Sequence, residues 1–251
     1  HLSTQLRDNR KTLLLWYANA FGADLWHVAN SRHSAGWKNA EARRVIKTQL
    51  IDGVLVYSGP DSTAYDDVYT YFPYSISTDD YGLWNYSNWV VFYINSVSSF
   101  TNTQGGRYRY TVGGSNTQAS FGYQFGSATT ITLWAVIGSS IRSYAVDYSL
   151  FETQLVDGWN HMSLAVCQDS VDDPFYKLRF YINGQLIHEQ DEPNVDALSE
   201  SGYSASLYNG TTNFRADSDY MPALYWATNQ ALPPSRQQEL FSLFKSENGL
   251  S

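Results

Sequence analysis

The stretch KLRFYINGQLIHE, Lys177 to Glu189, sets an Asn-Gly pair between two runs of alternating side chains. Asn-Gly so placed is the strongest short-range signal of a β-hairpin, because both central residues of a type I′ turn need positive φ. With Asn183 and Gly184 as the loop, Ile182 faces Gln185, Tyr181 faces Leu186, Phe180 faces Ile187 and Arg179 faces His188. Alternation then gives Leu178, Phe180, Ile182 and Ile187 one shared face, the face that needs a core. His188 falls on the other face beside Arg179, a solvated or partly stacked cross-strand partner rather than a catalytic base.

The same texture extends away from the hairpin in both directions. NWVVFYINSVSSF, GRYRYTV, ASFGYQF, TTITLWAVIG, IRSYAVDYSLFE, NHMSLAVC, YKLRFYI, QLIHE, SASLYNG and PALYWAT are rich in Val, Ile, Tyr, Phe and Thr, with Gly, Asn, Asp and Ser between them. No 10–15-residue helices separate these runs, so the expected architecture is all-β, a two-sheet antiparallel jelly-roll sandwich rather than a βαβ sheet. Near the end, PPSRQQELFSLFKSENG reads as a short C-terminal helix with a Ser N-cap, Leu240, Leu243 and Phe244 on one face, and Gly249 as its stop. The single Cys167 excludes an intramolecular disulfide, and no Cys/His cluster has zinc spacing, so packing must supply the stability.

The first fifty residues differ. Residues 1–38 show no sustained period and read as an irregular leader, followed by KNAEARRVIKTQL, which places Ala42, Val45, Ile46 and Leu50 on one face of a short helix. Residues 1–50 carry eight Lys/Arg against three acids, a net of +5, while the rest carries eight against 21, a net of −13. This asymmetry predicts a basic arm, residues 1–50, that fastens to an acidic surface through Arg7, Arg10, Lys11, Arg43, Arg44 and Lys47, followed by one domain over 51–251. Such arms exchanged between copies make a homo-oligomer. The apolar run in RDNRKTLLLWYANA is too short for a signal peptide, and no window approaches the ~18 apolar residues of a membrane span. A chain that begins with His1 is expected to be a fragment or a processed product.

Gly158, Trp159 and His161 in DGWNHMSLAV, Tyr181, Asn183 and Gly184 in the hairpin, and Ala231, Leu232, Glu239 and Leu240 in ALPPSRQQELFSLF occur in one order and spacing. Together they resemble the end of a laminin-G-like domain of the concanavalin A-like lectin/glucanase superfamily. The resemblance covers about residues 50–246 and is strongest after 130. It implies a jelly roll with one concave sheet, Trp134, Trp159 and Trp226 in the core, and no counterpart for the leader.

Glycan binding needs flat aromatic platforms and a few polar groups that fix hydroxyls. STDDYGLWNYSNW supplies both, with Asp79, Asp80, Tyr81, Trp84, Asn85 and Tyr86 as candidates; the competing reading makes Trp84 and Trp89 caps on the sandwich edge. Loop carboxylates Asp61, Asp66, Asp67, Asp217 and Asp219 are candidate Ca²⁺ ligands, though none follows EF-hand spacing. Asn85-Tyr86-Ser87 and Asn209-Gly210-Thr211 fit the N-glycosylation pattern. The β-glucanase branch of the superfamily uses a Glu-x-Asp-x-Glu strand, and EQDEP offers Glu189 and Asp191 but a proline at 193. QLIH is reminiscent of the Gln-x-His strand of alginate-lyase-like members, but the companion motif is missing.

The expected function is therefore a non-catalytic glycan-binding or adhesive module on an extracellular or virion surface, tied to a larger assembly by its arm. The alternatives are a structural fibre or decoration protein and a polysaccharide lyase or glycoside hydrolase working through Glu189, Asp191 and His188. An acidic body without a continuous basic stripe excludes nucleic acid as a partner.

Overall fold

The computed structural model describes residues 1–22, 26–28, 41–42, 48–58, 68–71, 85–98, 108–112, 119–125, 130–137, 140–167, 175–193, 211–214, 220–228 and 230–251. In chain order its elements are α1 (Leu2–Arg7), β1 (Thr12–Tyr17), α2 (Ala18–Phe21), β2 (Trp26–Val28), β3 (Glu41–Ala42), β4 (Thr48–Ile51), β5 (Val54–Tyr57), β6 (Val68–Tyr71), β7 (Asn85–Ile94) and β8 (Tyr108–Val112). There follow β9 (Ala119–Phe125), β10 (Thr130–Ile137), β11 (Ser140–Asp147), α3 (Tyr148–Glu152), β12 (Gly158–Cys167), β13 (Phe175–Ile182), β14 (Gln185–Pro193), β15 (Thr211–Phe214), β16 (Met221–Thr228) and α4 (Pro234–Glu247).

The strands pair antiparallel, and the largest sheet has the order β14-β13-β12-β7-β16-β1-β2. A second sheet runs β11-β10-β9-β8, and smaller ones join β15-β6-β3 and β4-β5. Directly paired residues share a face. The pairs Leu15–Trp226 and Trp226–Trp89 therefore place all three side chains on one side of the large sheet. There they join Leu2 and Leu6 of α1, Val54 and Val56 of β5, and Leu240 and Phe244 of α4 in one buried cluster. The opposite side carries Val90, Met162 and Ile182 in one row and Leu164 and Phe180 in the next, all buried. Over that side lies β11, whose Tyr144 meets Phe180 edge-on at 6.1 Å between ring centroids. An all-β antiparallel sandwich with a short C-terminal helix is thus the observed fold.

The central hairpin forms, with φ of 49° at Asn183 and 75° at Gly184. Leu178, Phe180, Ile182 and Ile187 are buried as the alternation required. The pairing differs beyond the first two rungs. A bulge leaves Ile187 without an opposite residue, so Phe180 faces His188, Arg179 faces Glu189, Lys177 faces Asp191 and Tyr176 faces Glu192. The shift brings opposite charges face to face, Arg179 Nε lying 2.5 Å from Glu189 Oε2, and it sends alternate residues of β14 to the side opposite to that expected.

The first fifty residues depart most from expectation. α1 is helical, but β1 is an interior strand of the large sheet between β16 and β2, and Leu2 and Leu6 are fully buried. Trp226 Nε1 donates to Thr12 Oγ1 at 2.8 Å, and that hydroxyl donates to the Leu6 carbonyl at 2.6 Å, binding the start of the chain to its penultimate element. The helix expected over 38–50 is replaced, where described, by β3 and β4. Asp52-Gly53, with φ of 52° and 81°, turns β4 into β5, and burial of Val54 and Val56 rewards a strand over helix spacing. A division at residue 50 would cut this hairpin. Arg7 pairs with Asp8 at 2.7 Å, and Arg10 and Lys11 are exposed in the turn before β1; Arg43, Arg44 and Lys47 lie outside the described residues. The YSLFE segment, expected within a strand, forms α3. Helix α4 begins with Pro233 as N-cap and Pro234 at its first position, in place of the expected Ser.

Deleting residues 1–17 removes an interior strand and three core leucines, Leu2, Leu6 and Leu15, so the remaining chain is expected to lose its cooperative urea transition. Leu6→Ala alone is expected to cost about 2–5 kcal/mol, read as a lowered urea midpoint at unchanged slope.

Candidate functional site

The three segments whose order carried the family resemblance meet at one place. Asn183 Nδ2 donates to the Gln154 carbonyl at 2.7 Å and to Asn160 Oδ1 at 2.8 Å, while its Oδ1 accepts from His161 N at 2.9 Å. Its own N–H reaches the His161 carbonyl at 2.8 Å. Asn160 in turn donates to the Val156 and Gly158 carbonyls at 2.7 and 3.0 Å. From α4, Gln238 Nε2 donates to the Asn183 carbonyl. The neighbouring Gln237 is wholly buried, accepting from Ser163 Oγ at 2.8 Å and donating to the Leu232 carbonyl at 3.0 Å. Trp159 Nε1 donates to Asp52 Oδ2 at 3.0 Å, which docks the tip of the β4-β5 hairpin on the same region. Every polar group named here is engaged, so the knot is structural.

His161 sits inside it with no solvent exposure. Its Nδ1 accepts from Trp89 Nε1 at 3.1 Å, so the ring proton resides on Nε2, a buried atom without a hydrogen-bond partner. Burial alone holds its pKa down, at about 3.

A second polar group lies where β11 crosses β13 and β14. Glu192, nearly buried, accepts from the Tyr144 hydroxyl, and its Oε2 lies 3.2 Å from Arg142 Nε. Tyr176, also buried, is hydrogen-bonded by Arg142. Burial first, then the Glu192 carboxylate, drives the Tyr144 hydroxyl far above its ordinary pKa, and burial likewise raises Tyr176. The His188 ring stacks at a tilt on Tyr144, centroids 5.0 Å apart, and burial lowers its pKa. A stacked His188 was one of the two placements expected, but its face is corrected: the bulge at Ile187 sets it opposite Phe180 and turns it toward the second sheet. Both oxygens of Glu192 are occupied, so the group clasps the rim of the sandwich and offers no free carboxylate for acid-base work.

Glu192, Arg142 and Tyr144 were not marked from sequence. Their signal was charge complementarity: only the shifted register sets Lys177 against Asp191 and Arg179 against Glu189. Those two acids are exposed on the opposite side of β14 from Glu192, so the carboxylates considered for hydrolysis do not converge with His188. Of the glycan candidates, Asn85 is exposed at the start of β7 and Tyr86 follows it in the strand, whereas Asp79, Asp80, Tyr81 and Trp84 lie outside the described residues. Trp89 is a core residue, as are Ser87 and Asn88 beside it. Trp226 is buried and Trp159 half-buried; Trp134 lies in β10, its side chain outside the described part. The Ca²⁺ candidates Asp61, Asp66, Asp67, Asp217 and Asp219 all lie outside the described residues, and among the described ones no group of three metal-ligating side chains gathers. No described helix is long and apolar enough to cross a membrane.

No protein-family model matches the chain, and no curated protein matches its sequence. Solved structures do. The binding domain of botulinum neurotoxin DC in complex with rat synaptotagmin II superposes with a TM-score of 0.56 at 15% identity, covering 95% of this chain and 52% of that one. A botulinum neurotoxin type C structure, concerned with cell entry through interaction with two ganglioside molecules, gives 0.57 at 14% identity over 96% of this chain and 52% of that one. The botulinum neurotoxin serotype D binding domain gives 0.55 at 14% identity over 97% and 53%. The chain thus spans about half the length of the structures it matches, and at these identities the likeness is one of fold.

Gly184 tests the knot. A Cβ at this position would collide with the Gln238 amide on a left-handed backbone. Gly184→Ala is expected to lower stability by about 2 kcal/mol, roughly half of it backbone cost. Urea melts of Gly184→Ala, Gln238→Ala and the double variant should give a coupling of about 1 kcal/mol, because the double variant no longer has the collision; strictly additive losses would mean that α4 does not press on the turn.

Proposed function

We propose that the chain is a non-catalytic recognition module that binds glycans, sialylated glycolipids among them, outside the cell. The observation that carries this reading is the shared antiparallel sandwich: over 95–97% of its length the chain follows toxin binding domains whose own ligands include gangliosides and a protein receptor. The rim clasp agrees with it, since the enclosed carboxylate is held by Tyr144 and Arg142 and is not presented to a substrate. The binding surface in this reading is the loop that enters β7, with Tyr81 and Trp84 as stacking platforms and Asp79, Asp80, Asn85 and Tyr86 fixing hydroxyls. Asp61, Asp66, Asp67, Asp217 and Asp219 supply oxygen ligands for Ca²⁺ that orders the loops. Membership of the laminin-G-like group, display on a cell or virion surface, and fastening of several copies through Arg7, Arg10, Lys11, Arg43, Arg44 and Lys47 belong to the same proposal.

A glycan array carrying gangliosides, neutral oligosaccharides and polysaccharides, probed with and without chelator, tests it. Binding is expected on at least one glycan class. Trp84→Ala and Tyr81→Ala are each expected to weaken that binding about tenfold or more, the loss of ~1–3 kcal/mol that a stacking platform carries, with the urea midpoint unmoved. Retention of calcium-free binding removes the metal from the reading, and silence across the whole array removes glycan recognition itself.

A further inference from the structure

A histidine enclosed without a counter-charge must stay neutral, and His161 does so beneath the C-terminal helix. Helix α4 follows β16 near the C-terminal end and lies across the side of the large sheet that carries Trp89, Leu224 and Trp226. It is held by buried Leu240 and Phe244, by Gln237 on Ser163, by Gln238 on the hairpin turn, and at the α1 side by Glu247, which accepts from Leu2 N and lies 3.5 Å from His1 Nδ1, and by Arg236 on Gln5. Phe241 of this helix lies on the His161 ring with centroids 4.7 Å apart and planes at 47°. Below the ring, Trp89 of β7 spends its indole N–H on Nδ1. The Asn183 turn holds only the His161 backbone.

Among the described residues no acid or base faces His161 from β7, β12, the turn or α4, and burial is the sole cause acting on its titration. A second proton would have to enter at Nδ1, where Trp89 already points a donor. Protonation therefore removes one buried hydrogen bond, sets two donors against each other, and leaves a cation under an aromatic helix face with no carboxylate in reach. Lifting α4 relieves all three at once by admitting water. The strand pairings and the row of Met162, Leu164, Phe180 and Ile182 on the far side of the sheet take no part in this contact.

We propose that His161 is an acid-sensitive latch for α4: protonation frees the C-terminal helix from the large sheet and uncovers the apolar floor around Trp89, Leu224 and Trp226, while the strands remain paired. The direction follows from linkage. A histidine depressed in the docked state and ordinary in the released state leaves docking at full strength above about pH 6.5 and weakens it as pH falls toward the docked value. Between pH 7.5 and pH 5.0 the release equilibrium should rise about 30-fold.

Amide hydrogen exchange followed by mass spectrometry reads this directly, with rates corrected for the intrinsic pH dependence of exchange. In the full chain, protection over residues 234–247 is expected to fall about 30-fold from pH 7.5 to 5.0, while protection over 175–182 holds. His161→Gln and, as a second variant, His161→Asn are expected to give α4 exchange that no longer responds to pH. The wild-type comparison stands even where a variant does not fold. A change at α4 of less than about threefold, loss of protection at 175–182 in step with α4, or a pH response that survives in a folded variant would each overturn the latch.

Discussion

One amide side chain fixes the relation between the parts of this molecule that sequence keeps far apart. Asn183 occupies a left-handed turn position that few side chains tolerate, and its carboxamide bonds to the loop before β12, to Asn160 and to the His161 backbone. Each bond contributes a net ~1 kcal/mol, and the larger effect lies in leaving none of those buried groups unpaired. With the turn so anchored, the register of β12 against β13 is set, and Gln238 has a carbonyl to dock on. The C-terminal helix therefore settles where the hairpin places it.

Period-two patterning made most strands legible, because one face of β13 and β14 needed burial and the other did not. It failed where that condition failed. β1 reads TLLLWY without alternation, as befits an interior strand covered on both sides, and the basic residues around it suggested a solvated leader. Helical spacing over 42–50 gave way at its described ends, Ala42 and Leu50, to strands, the latter led by the turn signal Asp52-Gly53, which dictates a hairpin. The enclosed polar group was hidden by a single bulge. Past Ile187 the inward positions become 188, 190 and 192, so Glu192 enters the sandwich while Glu189 and Asp191 face water. The motif residues Trp159, Asn183 and Gly184 were legible as a set, but their meeting with Gln237 and Gln238 required the fold.

The two sides of the large sheet obey different physics. Beneath α1, α4 and the β4-β5 hairpin the contacts are aromatic and aliphatic, with neutral hydrogen bonds from Trp89 and Trp226, and one from Trp159 to the Asp52 carboxylate, marking fixed points. On the side toward β11 an ion pair and two tyrosines close the rim. Such a pair adds little to stability once desolvation is counted, yet removing one member leaves a charge without compensation. It thus favours one placement of β11 over its neighbours on the sheet.

The pairing of β1 with β16 has a kinetic side. Trp226 and Thr12, bonded through their side chains, stand 214 positions apart. Closing a loop of that size costs about 5 kcal/mol of chain entropy beyond the fixed term, before any contact returns it. During synthesis β1 leaves the ribosome long before β16 exists, so with only β2 to pair early its core face must wait until Met221–Thr228 emerges. High contact order of this kind makes for slow folding and a prolonged need for protection against aggregation.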